Sequence, residues 1–270
     1  VLRQRGGEIS SIPVYVDFPG QISGFLDLYQ RILEAMPLQS VAESALACGD
    51  NIPSNLQRAA TVLLNGGQEE VTLAREWIRG RRPHLTKLKK RTGITERIED
   101  EPTATDMLCA IIHALSAQGR RLVLLVDEFQ RVAMLKEKAR SSTLACLRSL
   151  FTRNPTHLTV VLTIASLVED TALALLPAEL RTLLGHKPAI QLPEMSADEA
   201  VDFVISRFDY FRPQGYDGPP SAPFSPQAVE AVISFIDKET NASLIPREIL
   251  STFSWIQDCE YCDDAEPIDP

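Results

Sequence analysis

From Leu122 to Glu128 the chain reads LVLLVDE, five apolar residues in succession and then two adjacent carboxylates. A run apolar at every position predicts a central parallel strand covered on both faces, because a strand with one wet face alternates. His157 to Ala165 (HLTVVLTIA) is a second such run, and Pro188 to Leu192 (PAIQL) a shorter third. Ile12 to Phe18 (IPVYVDF) reads as another buried strand, closed by the turn residues Pro19-Gly20. Helical patterns lie between them, at about Ile22 to Met36, Pro102 to Gln118, Ala139 to Thr152 and Asp170 to Leu184. Strands alternating with helices predict an α/β fold: a doubly wound parallel sheet flanked by helices.

This pattern divides the chain. Gln39 to Glu101 is free of strand signals and reads as a helical insertion between two strands of a core spanning 1–193. After Pro193 the strands stop. Ser196-Ala-Asp-Glu199 has the S-x-x-E spacing of a capping box, which predicts a helix running to about Tyr210. Arg212 to Pro226 holds five prolines and two glycines and reads as a loop. Helices at about Pro226 to Lys238 and Ile245 to Gln257 complete an all-helical lobe over 194–257. The tail 258–270 has many acids and no cation, the pattern of a disordered or partner-contacting segment.

In open α/β sheets, ligands bind beyond the carboxyl ends of strands, where Asp127 and Glu128 lie. Two readings stand side by side. In one, the strand simply ends in solvated acids. In the other, Asp127 holds Mg2+ and Glu128 deprotonates a water attacking a nucleoside triphosphate. Thr163 and Ser166, at the end of the neighbouring strand, are hydroxyls for a terminal phosphate or else capping groups. Arg247 opens the last helix of the lobe, and its guanidinium fork matches phosphate oxygens.

Arg79, Arg81, Arg82, Lys87, Lys89, Lys90 and Arg91 are seven cations without an acid between them, in a chain whose net charge is −9. Any nucleic-acid contact must therefore be local, and this stretch is its candidate; a solvated helix face or a protein-docking surface is the alternative. The five cysteines are scattered, as in a reduced compartment, and only Cys259 and Cys262 have CxxC spacing. That lone pair reads as incidental thiols rather than a zinc site. His113, His157 and His186 fit no ligand spacing. No apolar run reaches the roughly 18–20 residues that span a bilayer, and no signal-peptide pattern opens the sequence, so a cytoplasmic protein without membrane contact is expected.

Together these segments resemble the AAA+ ATPases, a family of P-loop NTPases, in the origin-recognition and Cdc6-like branch. LVLLVDEF looks like Walker B, TVVLTIAS like the sensor 1 strand, AIQLPEMSADEA like the last strand entering a helical lid, and SLIPREIL like the sensor 2 helix. A closer resemblance, to the bacterial ATP-binding proteins of BREX-type phage-defence clusters, rests on Ala74 to Gly80 (AREWIRG), Leu88 to Ile98 and GRRLVLLVDEFQRV. The resemblance implies ATP and Mg2+ as cofactors, Asp127 and Glu128 as catalytic carboxylates, and a homo-oligomer. In that assembly Arg181 approaches a neighbour's nucleotide, with Arg153 and Arg148 as competitors. DNA and other defence-system proteins are the implied partners. One departure stands out. The sequence contains no Walker A motif, GxxxxGK[ST]; Gly6-Gly7 and Asn65-Gly66-Gly67 are the nearest approximations. Val1 to Arg5 looks like the last turn of the Walker A helix, which places the strand and loop roughly 25–30 residues upstream, judged from usual βα unit sizes. The alternative is a domain without the loop, serving as an oligomerisation or DNA-docking platform.

Overall fold

The computed structural model describes residues 10–20, 23–165, 190, 192–215, 217–239 and 243–262, with Glu239 and Cys259 to Cys262 described by backbone alone. The chain divides into two compact units, 1–187 and 188–270. The first is α/β. Strands β1 (Ser10–Asp17), β2 (Arg120–Asp127) and β3 (Leu158–Leu162) form a parallel sheet in the order β1-β2-β3. Between β1 and β2 run six helices: α1 (Phe25–Ala35), α2 (Leu38–Cys48), α3 (Ser54–Asn65), α4 (Gln68–Ile78), α5 (Leu85–Thr92) and α6 (Glu101–Ala117). Helix α7 (Glu137–Arg153) connects β2 to β3.

Register explains which face of the sheet is buried. Ile12, Leu122 and Leu158 are paired across the strands, as are Val14, Leu124 and Val160, and Val16, Val126 and Leu162. That face joins Phe25, Leu28, Ile32, Leu108, Ile112 and Leu115 in one core. The opposite face carries the row Tyr15, Leu125 and Val161, with Tyr15 60% and Val161 41% exposed. Among the described residues, one face of the sheet is covered by helices, where cover on both faces was expected. β2 is apolar from Leu122 to Val126, yet Val123 and Leu125 are only half-buried, and among the described residues the helices share their core with the other face. The expected helix at 170–184 and nearly all of the strand at 188–192 lie outside the described residues; Ile190 and Leu192 belong to no strand.

Among the described residues β1 is an edge strand. Phe18 N donates to Asp127 O at 2.9 Å. Alternation then turns the backbone groups of Val16, Val14 and Ile12 toward β2 and those of Asp17, Tyr15 and Pro13 away from it. Pro13 thus stands where its missing N–H removes no bond of the ladder.

The insertion is tied to the core by local chemistry. Asp100 caps α6, its side chain accepting from Thr103 N at 2.8 Å; the Thr103 side chain, and then this backbone bond, hold its carboxyl below the usual range. Glu101 reaches the N-terminus of α1, where Phe25 N donates to its Oε1 at 2.7 Å, and its other oxygen accepts from Ser142 of α7. Trp77 is buried, with Nε1 donating to Glu96 O at 2.6 Å.

The second unit holds α8 (Ala197–Tyr210), α9 (Pro226–Glu239) and α10 (Pro246–Cys262). The S-x-x-E spacing forms its capping box: Glu199 N donates to Ser196 Oγ, and Ser196 N donates to the Glu199 carboxylate. Ala200, Val204, Val229, Ile233, Ile249 and Phe253 make a separate core. Helix α10 runs on to Cys262, past the expected end at 257, so the start of the acidic tail is helical.

Candidate active site

The carboxyl ends of the three strands converge. Asp17 and Asp127 are register partners, and Thr163 follows β3 beside them, its N donating to Val126 O at 3.0 Å and its carbonyl accepting from Phe129 N at 2.9 Å. Three donors hold the Asp127 carboxylate. The Thr163 hydroxyl and Glu128 N (2.9 Å) bond to Oδ1, and the Tyr15 hydroxyl bonds to Oδ2 at 2.7 Å. These bonds, that from Thr163 foremost, keep Asp127 below the ordinary carboxylate range. The same Tyr15–Asp127 bond raises the Tyr15 phenol, since ionised Tyr15 has nothing to donate to Asp127. A carboxylate offers about four lone-pair positions, so the donors among the described residues leave one, on Oδ2.

Glu128 has φ 55° and ψ 34°, the one non-glycine residue with positive φ among the described residues. That left-handed conformation is uncommon for a glutamate and is found where neighbouring structure imposes it. Its Oε2 accepts from Gln130 Nε2 at 2.7 Å and lies 3.5 Å from Arg131 Nε. Gln130 Oε1 accepts from Ala165 N at 3.1 Å, while Arg131 Nη1 bonds to Asp17 Oδ1 (3.1 Å) and Phe18 O (2.8 Å). Beneath this turn, Phe129 packs edge-on against Phe18 with ring centres 5.7 Å apart, fixing where the turn begins.

Residues 34–166 match the family model described as BREX system ATP-binding protein BrxC/D. The match takes in just under half of the chain and supports a BREX-type family. Asp127, Glu128, Gln130, Arg131 and Thr163 fall inside it; β1, with Tyr15 and Asp17, precedes it. No curated protein and no solved structure matches the chain.

The structure brings Asp127, Glu128 and Thr163 together, and adds Tyr15, Asp17, Gln130 and Arg131, to which the sequence alone assigned no role. The signal for Asp17 was present, since VYVD ends β1 in an acid just as LVLLVD ends β2. Ser166 and Arg181 lie outside the described residues. Arg247 is exposed in the first turn of α10, in the second unit. Of the competitors to Arg181, Arg153 pairs with Asp106 at 2.6 Å and Arg148 is exposed on α7.

The fold supplies the basic stretch with acids that its linear sequence lacks. Arg81 bonds to Glu34 at 2.9 Å, Lys87 to Glu69 at 2.8 Å, and Arg91 lies 3.6 Å from Glu69 and 3.9 Å from Glu70. Lys87, and then Arg91, hold Glu69 below its usual range. Arg79 is half-buried, with Nε lacking a partner. Arg82, Lys89 and Lys90 remain exposed, without an ion pair among the described residues.

No three His, Cys, Asp or Glu side chains gather as a metal cluster among the described residues, and the side chains of Cys259 and Cys262 lie outside them. No described helix is long and apolar enough to cross a membrane. Asn65-Gly66-Gly67 is the tight junction between α3 and α4, where a Cβ on Gly66 would stand 2.6 Å from Val62 O; this accounts for that glycine without a phosphate. Gly6-Gly7 lies outside the described residues.

Proposed function

We propose that this chain is the carboxylate-bearing part of a BREX-type ATP-binding protein that hydrolyses Mg-ATP as an AAA+ ATPase. The observation behind this reading is the meeting of Asp127, Glu128 and Thr163 at the carboxyl end of the sheet. The donor set fits Mg2+, which is commonly held by one or two carboxylate oxygens with waters and substrate phosphates completing its octahedron. Asp127 retains one lone-pair position, on Oδ2, for the ion or one of its waters, and Thr163 keeps the carboxylate ionised and turned toward the site. The bound ion supplies charge neutralisation at the β- and γ-phosphates.

Glu128 takes a proton from the water whose oxygen bonds to the γ-phosphorus. The bond from that phosphorus to the bridging oxygen breaks, and ADP leaves with the electron pair. Arg247 senses the nucleotide from the helical lobe, Ser166 faces the terminal phosphate, and Arg181 serves a neighbouring copy. Arg82, Lys89 and Lys90 touch nucleic-acid backbone. The second reading is a non-enzymatic oligomerisation or DNA-docking platform that works without GxxxxGK[ST], a motif not present between Val1 and Pro270.

Nucleotide binding and hydrolysis by the natural protein carrying this sequence separate the two readings. Glu128→Gln should leave ATP binding nearly intact and lower turnover by about 10²-fold or more, the scale of a lost general base, whereas Asp127→Ala should weaken Mg-ATP binding. A Glu128→Gln protein that turns over at the wild-type rate removes Glu128 from the chemistry, and absence of turnover from the unsubstituted protein leaves the platform.

A further inference from the structure

Two side chains of the turn after Glu128 point back at its carboxylate. Gln130 spans the gap to β3: Nε2 donates to Glu128 Oε2 at 2.7 Å, and Oε1 accepts from Ala165 N at 3.1 Å. Arg131 spans the gap to β1, with Nε 3.5 Å from the same Oε2 and Nη1 bonded to Asp17 and Phe18 O. Glu128 Oε1 has no hydrogen-bond partner among the described residues. An oxygen already engaged by donors is a poor proton acceptor. A carboxylate free to rotate presents either oxygen, and anchoring one of them gives the other a fixed direction.

Resting on the assignment of Glu128 as base, we propose that Gln130 is a positioning residue for the hydrolysis. Its amide pins Oε2 of Glu128 to the segment that follows β3, at Ala165, so that Oε1 alone faces the attacking water. Arg131 steadies the same oxygen from β1. The direction of the base is thus set by two strand ends rather than by the rotamer of an exposed side chain, and the left-handed backbone at Glu128 is what brings Oε2 within reach of both.

The test is a mutant cycle in the natural protein carrying this sequence, with ATP hydrolysis and nucleotide binding measured in parallel. Gln130→Met keeps the length of the side chain and removes both bonds. Gln130→Glu keeps an acceptor for Ala165 N, removes the donor to Glu128 and sets a second carboxylate against its Oε2. Both should lower kcat by about tenfold or more, with KM for ATP and nucleotide affinity changed by less than about twofold. Introduced into Glu128→Gln, neither should lower turnover further, because no base remains to be positioned. Wild-type kcat in both folded variants overturns the proposal, as does a loss of the same factor in the Glu128→Gln background. Either outcome leaves the base assignment standing if Glu128→Gln itself is slow. A Glu128→Gln protein as fast as wild type overturns the assignment and the proposal together. Thermal melts verify folding, and should Gln130→Met fail to fold, Gln130→Glu carries the test.

Discussion

Glu128 occupies a backbone conformation that its own side chain makes costly, by about 1–2 kcal/mol for an L-residue. Glycine has no such cost. Glu128→Gly is therefore expected to abolish turnover without lowering stability, while Glu128→Val, branched at Cβ, should lower it by about 1–2 kcal/mol; urea unfolding of the two variants distinguishes them. A destabilised glycine variant would show that the side-chain bonds outweigh the backbone strain. The folded pKa of Asp127 is depressed, so its stabilising contribution is complete above the unfolded value of about 3.9 and fades as pH falls through the lower folded one. Thr163→Val removes the largest cause, and carboxyl NMR across an acid titration should show the Asp127 midpoint rising toward that ordinary value. An unmoved midpoint would transfer the effect to Tyr15 and the Glu128 amide. The convergence of Asp127 with Thr163 was legible in the sequence because both follow apolar runs, and parallel strands bring their carboxyl ends together. Tyr15, Gln130 and Arg131 were not. Their roles depend on register and on a reversal of backbone direction that no local pattern encodes.

The start of α1 has no cap from its own flanking residue. Gly24 flanks its N-terminus, and a Cβ there would fall 2.2 Å from Glu101 Oε1, the atom that accepts from Phe25 N. The cap comes from a residue distant in sequence. Glu101→Ala should lower stability by about 1–3 kcal/mol through the stranded donor at Phe25, and Gly24→Ala should act in the same direction by pushing the carboxylate aside. Chemical denaturation checks both, and a neutral Glu101→Ala would show that water replaces the cap. On α5 and the segment before it, Arg81, Lys87 and Arg91 already have acidic neighbours, so the cations to remove are Arg82, Lys89 and Lys90. Their triple alanine variant should weaken binding to unrelated duplexes alike and flatten the salt dependence by up to about 0.9 for each phosphate no longer neutralised, as read by fluorescence anisotropy. Unchanged affinity in the folded variant assigns the surface to a protein. The sequence made helix and strand positions readable through periodicity and the S-x-x-E signal. How β2 is covered is less readable, since an apolar run records tolerance for burial on two faces rather than the presence of two layers, and the described residues cover one.

For the molecule as a whole, each unit has a core of its own and one of the chain's two tryptophans: Trp77, buried, in the first, and Trp255, 67% exposed, in the second. Phe253 packs edge-on against Phe208 and Phe224, so Phe253→Ala should cost the second unit about 3–5 kcal/mol. With each tryptophan in turn replaced by phenylalanine, the urea midpoint read by Trp255 should fall further than the one read by Trp77. Equal shifts would sink the division into two cores. At the same scale, the edges of the sheet give it a direction. Along β1 the outward row of N–H groups is interrupted at Pro13, so an incoming strand would lose a rung in the middle of its ladder. β3 has no proline, its Val160 and Leu162 turn both backbone groups outward, and no strand lies beyond it among the described residues. The β3 edge is therefore the one better suited to take a further strand, and a strand added there, past Thr163 and away from Asp17, would enlarge the site from the β3 flank.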